Sequence, residues 1–248
     1  MTNKNSNMIE FKQVFKSFGN NKVLQGLNLS IRQGETLVVL GRSGCGKSVM
    51  LKILLGLLPA DLGQVYVDNT EITELAESSL FSIRQKIGML FQGSALFDSL
   101  TVGENVAFAL KEHSKKSVAE IDEIVKKNLS FVDLEGTEQL MPSDLSGGMR
   151  KRVALARAMA YQPQIMLYDE PTTGLDPITA TTINALIRKT QKELGVTSIV
   201  VTHELDSGFS VADRVAVINE GVIIEIGSIA EIKKCDNEFV QRFIAGPK

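Results

Sequence analysis

Gly41-Arg42-Ser43-Gly44-Cys45-Gly46-Lys47-Ser48 carries two glycines with four residues between them, then Lys and Ser. That is the spacing of a loop that cradles phosphates. Gly41, Gly44 and Gly46 allow a tight turn that aims backbone N–H groups at a phosphate chain. Lys47 can reach the β- and γ-phosphates, and the Ser48 hydroxyl can sit on Mg²⁺. Farther on, Asp169 and Glu170 close an apolar run. Asp169 can hold the cation through water, and Glu170 can orient and activate a water for attack on the γ-phosphate. His203 follows another apolar run, where it can hydrogen-bond a γ-phosphate or position the water, although a lone histidine is more often structural. Gln92, just past a short apolar strand, can point into the same site, a weak signal by itself. Ser146-Gly147-Gly148 opens a helix with two poor helix formers. Close approach of the backbone to an anion explains them. The alternative is an N-cap with a flexible entry, Arg150, Lys151 and Arg152 facing solvent. Cys45 reads either as a reactive thiol at a helix N-terminus or as a small side chain that fits the loop.

These residues need a scaffold that gathers them. Thr36–Leu40 is apolar and β-branched, as a buried parallel strand is, and Val49–Leu58 suits a buried helix. Strand, glycine loop and helix is the context that confirms the motif. Met8–Phe15 and Val23–Ile31 alternate as strands, with turns at Phe18–Asn21 and Arg32–Glu35, which predicts an antiparallel β layer ahead of the loop. Phe18 can stack on an adenine ring or fold onto the core. Gln64–Val67 reads as a strand, Glu71–Gln85 as a helix and Lys86–Phe91 as a strand. Thr101–Glu112 and Ser117–Val132 read as helices, the second with a capping box at Ser117 and Glu120. Ile165–Glu170 and Thr197–Val201 are further buried strands, separated by a helix at Ile178–Leu194 that Gly195 ends. Ligands in open α/β sheets gather beyond the strand C-termini, where Glu170 and His203 both fall. Glu220-Gly221 reads as a hairpin turn, Ser228 and Glu231 as another capping box, and Phe239–Ile244 as a short amphipathic helix.

The chain has 248 residues, 44% apolar and 23% charged, with a net charge of -2. These are globular values and advertise no basic surface for nucleic acid. Two cysteines, one inside the glycine loop, imply no disulfide framework and suit a reducing setting. No apolar stretch reaches the length of a membrane span, and polar Met1–Asn7 has no signal-peptide core. Any membrane role is expected to come through a partner.

In order and spacing, the loop at Gly41–Ser48, Gln92, Leu145-Ser146-Gly147-Gly148, Asp169-Glu170, Gly174-Leu175-Asp176 and His203 resemble the ATP-binding subunit of ABC transporters over nearly the full length. The resemblance implies an α/β fold, a phosphate-loop (RecA-like) core with an antiparallel β subdomain and a helical subdomain inserted at about 93–160, in one domain spanning 1–248. It implies a head-to-tail dimer of this subunit sandwiching ATP and Mg²⁺. Ser146, Gly147 and Gly148 of one subunit would then contact the γ-phosphate held by Gly41, Arg42, Ser43, Gly44, Cys45, Gly46, Lys47 and Ser48 of the other. Glu170 would be the general base, His203 the γ-phosphate contact and Phe18 the adenine platform. Ser48, Gln92 and Asp169 would serve the metal, and Asp176 would lie at the dimer seam. One position departs from the pattern: Met149 stands where the family usually has Gln, and Met lacks the amide's donors and acceptor.

Phe91–Val102, with Glu104-Asn105-Val106-Ala107-Phe108 and Leu140-Met141-Pro142-Ser143, looks like the ATPases of Mla/MCE-type phospholipid transport systems. The resemblance implies a membrane permease dimer, an MCE-domain protein, a STAS-domain regulator and a peripheral location on the cytoplasmic face of the inner membrane. A small-solute importer is the alternative cargo. An ABC ATPase acting on ribosomes or DNA fits poorly, because the chain has neither a second phosphate loop nor a basic stripe.

Overall fold

The computed structural model describes residues 6–245, so the polar N-terminal stretch read above lies outside it as far as Asn5. The first half runs through β1 (Asn7–Phe18), β2 (Asn21–Arg32), β3 (Thr36–Leu40), α1 (Lys47–Leu54), β4 (Leu62–Val67), β5 (Thr70–Glu71), α2 (Glu77–Gln85) and β6 (Ile87–Leu90). Next come α3 (Val102–His113), α4 (Val118–Phe131), a single 3-10 turn at Pro142–Asp144, and α5 (Gly147–Ala158). The chain then continues through β7 (Ile165–Asp169), α6 (Pro177–Leu194), β8 (Thr197–Thr202), α7 (Leu205–Val211), β9 (Arg214–Asn219), β10 (Val222–Gly227), α8 (Ile229–Lys234) and α9 (Glu238–Ala245).

Two sheets organise these elements. A four-stranded antiparallel sheet has the order β2-β1-β4-β5, and a six-stranded sheet the order β10-β9-β3-β8-β7-β6. Within the larger sheet β9, β3, β8, β7 and β6 pair in parallel, and β10 adds an antiparallel edge. Every residue of β3, β7 and β8 is buried, as the unbroken apolar runs require. Their side chains alternate between two cores. Leu37 and Val39 pack with Met50, Leu51 and Leu54 of α1 and the inner face of the antiparallel sheet. Val38 and Leu40 face the opposite core, which holds apolar residues of α3–α7. The β layer ahead of the loop is thus present, and the parallel sheet brings the C-terminal ends of β3, β7 and β8 to one edge.

Local signals account for most boundaries. Ser117 with Glu120 and Ser228 with Glu231 form the expected capping boxes, and Thr101 with Glu104 forms a third. Gly195 ends α6 in the left-handed region. The helix expected over Glu71–Gln85 is shorter and starts at Glu77. Asp68 and Asn69 both have positive φ, the hairpin turn that suits Asp and Asn, so Thr70-Glu71 folds back as β5. Val65 N–H then donates to Thr73 Oγ1, 2.8 Å, which holds the next residues at the sheet edge. The first helix also stops early, at Leu54, where Gly56 (φ 64) turns the chain. No helix among the described residues is long and apolar enough to cross a membrane.

Candidate functional site

The glycine loop joins β3 to α1. Gly46 is the N-cap of α1 with φ 106, and a Cβ there would lie 2.7 Å from Leu24 Cδ2 and 2.9 Å from the Val23 carbonyl oxygen. Only glycine meets both demands. No side chain caps α1, so its first N–H groups and the positive end of its dipole are offered to a ligand. Lys47 is buried. Its Nζ donates to the Gly41 carbonyl at 2.7 Å and the Arg42 carbonyl at 3.1 Å, and lies 3.3 Å from Glu170 Oε1. Ser48 Oγ donates to Asp169 Oδ1 at 3.0 Å. Cys45 is half-buried, and burial pushes its thiol up against the opposing pull of Lys47, which disfavours the thiolate. The reading of a small side chain that fits the loop is the one the structure supports over a reactive thiol.

Asp169 and Glu170 stand at the C-terminal end of β7, both buried. Burial raises the Asp169 carboxyl, and the Ser48 hydrogen bond partly offsets it. Burial also acts to raise Glu170. The His203 hydrogen bond and the Lys47 ammonium outweigh it and hold that carboxyl below the usual carboxylate range. His203 Nδ1 is 2.9 Å from Glu170 Oε2, and Thr173 Oγ1 donates to the same oxygen at 3.1 Å. Glu170 has φ 48, and its N–H donates to the Val201 carbonyl at 2.9 Å. The acid is therefore placed by the end of β7, by β8 through Val201 and by the side chains of Lys47, His203 and Thr173.

A cavity of about 410 Å³ collects Lys47, Ser48, Glu170 and His203, while Asp169 does not line it and bonds the Ser48 hydroxyl that does. Ser43, Gly44, Gly46, Lys47 and Ser48 line it together with Gln92, Glu170 and His203, and Phe18, Val23 and Val49 form the apolar part. The Phe18 ring is 48% exposed, with Lys16 Nζ 5.5 Å from its centroid. An uncapped helix start, a buried ammonium, a hydroxyl–carboxylate pair and an open aromatic face fit a nucleoside triphosphate with a hard divalent cation. Gly41, Arg42 and Cys45 complete the loop without lining the cavity.

Ser146, Gly147, Gly148 and Asp176 do not line this cavity either. Ser146 caps α5, its Oγ accepting from Met149 N–H at 3.2 Å. Asp176 caps α6, accepting from Ile178 and Thr179 N–H at 3.0 Å each. The two helix starts touch. A Cβ on Gly148 would lie 2.4 Å from Thr179 Cγ2, whereas Gly147 has room for one. Packing against α6 thus gives Gly148 a reason of its own, beside the anion approach and the flexible N-cap that the sequence suggests. Met149 packs inward on the core.

The basic trio does not face solvent as a group. Arg150 donates to the Leu145 carbonyl, Arg152 to the carbonyls of Val132 and Asp133, and Lys151 to those of Gln92 and Glu170. Lys151 is buried. Its spacing from Gly148 and Leu155 puts it on the inward stripe of α5, the signal that could have revealed it. Thr172, Thr173 and Glu204 were also missed; Thr172 Oγ1 donates to Glu204 Oε2 at 2.6 Å beside the site.

A family model described as ABC transporter matches residues 24–173. The chain belongs to the ABC transporter family. The intermembrane phospholipid transport system ATP-binding protein MlaF of Haemophilus influenzae is 37% identical over 242 residues, covering 98% of this chain and 92% of that one. The Fe(3+) ions import ATP-binding protein FbpC 1 of Pectobacterium atrosepticum is 40% identical over 231 residues, 93% of this chain and 64% of that one. A dimeric structure of a post-hydrolysis state of the ATP-binding cassette MJ0796, bound to ADP and Pi, superposes with a TM-score of 0.82 at 35% identity, covering 90% of this chain and 99% of that one. As a member of the ABC transporter family, the chain is an ATP-hydrolysing transporter subunit that uses ATP with Mg²⁺.

Proposed function

We propose that this ABC ATPase works as a head-to-tail dimer and drives phospholipid movement through a membrane permease. One observation carries the dimer: the cavity that holds Lys47, Glu170 and His203 contains no part of Ser146–Gly148 or Asp176. Those groups sit at two adjoining helix starts with Ser146, Gly147 and Asp176 exposed, so a second copy can complete the site with them.

In this reading Lys47 and the α1 N-terminus bind and orient the β- and γ-phosphates, and Phe18 stacks on the base. Ser48, Asp169 and Gln92 would hold Mg²⁺, which would supply charge neutralisation to the phosphate chain. Glu170 orients a water and accepts its proton, while His203 fixes Glu170 and reaches the γ-phosphate. Gly41, Arg42 and Cys45 shape the phosphate loop from behind, the first two holding Lys47 through their carbonyls. Binding favours the closed dimer and hydrolysis reopens it, shifting the permease by the difference in affinity between the two states. The single domain, 1–248, meets the permease through the helical insert at 93–160.

The phospholipid cargo rests on the near end-to-end likeness to MlaF and on the Phe91–Phe108 segment. That reading brings in an MCE-domain protein and a STAS-domain regulator, with the subunit held peripherally on the cytoplasmic face of the inner membrane by its permease dimer. The likeness to FbpC 1 favours a solute importer as the second reading. Gentle purification of the tagged subunit from membranes, with mass spectrometry of proteins and extracted lipid, separates them. A permease with an MCE-domain protein and enriched phospholipid supports the first. A permease with a solute-binding protein and no enriched lipid replaces the cargo and leaves the ATPase intact.

A further inference from the structure

Lys151 is a buried cation that none of the chemistry above uses. It is 5% exposed, and none of the ion pairs among the described residues includes it. Its Nζ donates instead to two main-chain carbonyls, that of Gln92 and, at 3.5 Å, that of Glu170. Removing an ammonium from water is costly, and an apolar side chain of similar length would fill the space without that cost. Burial pushes the Lys151 ammonium below its ordinary range, and the charges of Asp169, Glu170 and Glu204 offset this only in part, with no carboxylate bound to it directly. The location gives the cation a use. Gln92 and Glu170 follow the ends of the adjacent parallel strands β6 and β7, and both line the nucleotide cavity. Lys151 stands on α5, little more than one helical turn from the Ser146 cap.

We infer that Lys151 is a positioning residue that couples the Ser146–Gly148 end of α5 to Gln92 and Glu170 of its own chain. The inference rests on the dimer reading above. In that dimer Ser146–Gly148 touches the nucleotide held by the partner, while Gln92 and Glu170 serve the nucleotide held by their own chain. A helix moves as a rigid unit over this span, so a shift at its cap carries the Lys151 ammonium with it. The two carbonyls follow, and Glu170 is aligned when the partner's site is filled. Lys151 thereby links the two nucleotide sites through one side chain, without touching either nucleotide.

The test is a double-mutant cycle between Lys151→Met and Ser146→Ala, reading kcat at saturating ATP and the ATP dissociation constant of each purified variant. Lys151→Met is expected to lower kcat by roughly tenfold or more while the dissociation constant stays within about twofold. Lys151→Arg, which keeps a cation able to bridge two carbonyls, is expected to restore part of kcat. In the double variant the losses are expected to overlap, so that it is little worse than the poorer single variant. Parental kcat in Lys151→Met, or losses that multiply independently, overturns the coupling and leaves the dimer standing. A parallel loss of ATP binding and thermal stability that Arg does not rescue makes Lys151 a packing residue and also overturns it. Parental kcat in Ser146→Ala removes the dimer reading itself and this inference with it.

Discussion

Glu170 is held between Lys47 and His203, and each contact makes a separate prediction. Glu170→Gln keeps the size of the side chain and removes its basicity. It is expected to bind ATP normally and to lose turnover by about 10²–10⁴, the usual worth of a general base; steady-state kinetics beside equilibrium binding checks this, and normal hydrolysis would reassign the base. The His203 bond and Lys47 hold the Glu170 carboxyl low against burial. A carboxyl depressed in this way adds stability that is present above its unfolded value and is lost as pH falls through the folded value. Replacing His203 with Ala leaves burial less opposed, so Glu170 is expected to titrate at higher pH, as carboxyl NMR would read; an unchanged titration would show that Lys47 alone sets it. At this scale the sequence was most legible where residue type and chemistry coincide, as at Lys47, Ser48 and Glu170. Lys151 was legible only through its place on the inward stripe of α5, since its partners are remote main-chain carbonyls, and Glu204 was not legible because its partner Thr172 lies on a neighbouring loop.

At the scale of elements, the contact between α5 and α6 is a packing joint. A methyl group on Gly148 meets Thr179 Cγ2, while Thr179 Oγ1 donates to Asp176. Gly148→Ala is expected to destabilise the fold by about 1–3 kcal/mol through overpacking. Adding Thr179→Ser removes the clashing carbon and keeps the hydroxyl, so denaturant melts are expected to show partial recovery; no recovery would return Gly148 to a purely ligand-facing role. Met149→Gln, one residue on, is expected to leave ATP binding intact, because Met149 points into the core rather than to the cavity. A large loss of affinity by titration would contradict that placement. Element identity was readable here from caps and periodicity, down to the boxes at Ser117 and Ser228. The start of α2 was not, because Asp68-Asn69 acts through a left-handed turn whose effect, the return strand β5, depends on an edge that only the folded sheet supplies.

At the scale of the whole molecule, ligand binding and stability are one equilibrium. In the Glu170→Gln background, ATP with Mg²⁺ at 100 times its dissociation constant is expected to raise the unfolding free energy by about 2.7 kcal/mol. Lys47→Ala is expected to erase that increment, and an increment that survives would place the nucleotide elsewhere. The fold class was implied by the family resemblance and agreed with the strand and helix signals, yet the order β9-β3-β8-β7-β6 was in neither, since parallel neighbours are chosen by where crossovers pack and not by the strands themselves. That order puts β3 between β8 and β9, with Leu37 and Val39 in one core and Val38 and Leu40 in the other. Neither core can loosen around β3 while the other stays closed on it. The amides of β3 and β8 are therefore expected to exchange their hydrogens with deuterium only when the whole fold opens, and those of α9, where only Val240 is buried, by local opening far sooner. The strand that launches the phosphate loop is thus expected to double as the molecule's slowest clock, timing global unfolding from the base of the loop that meets the nucleotide.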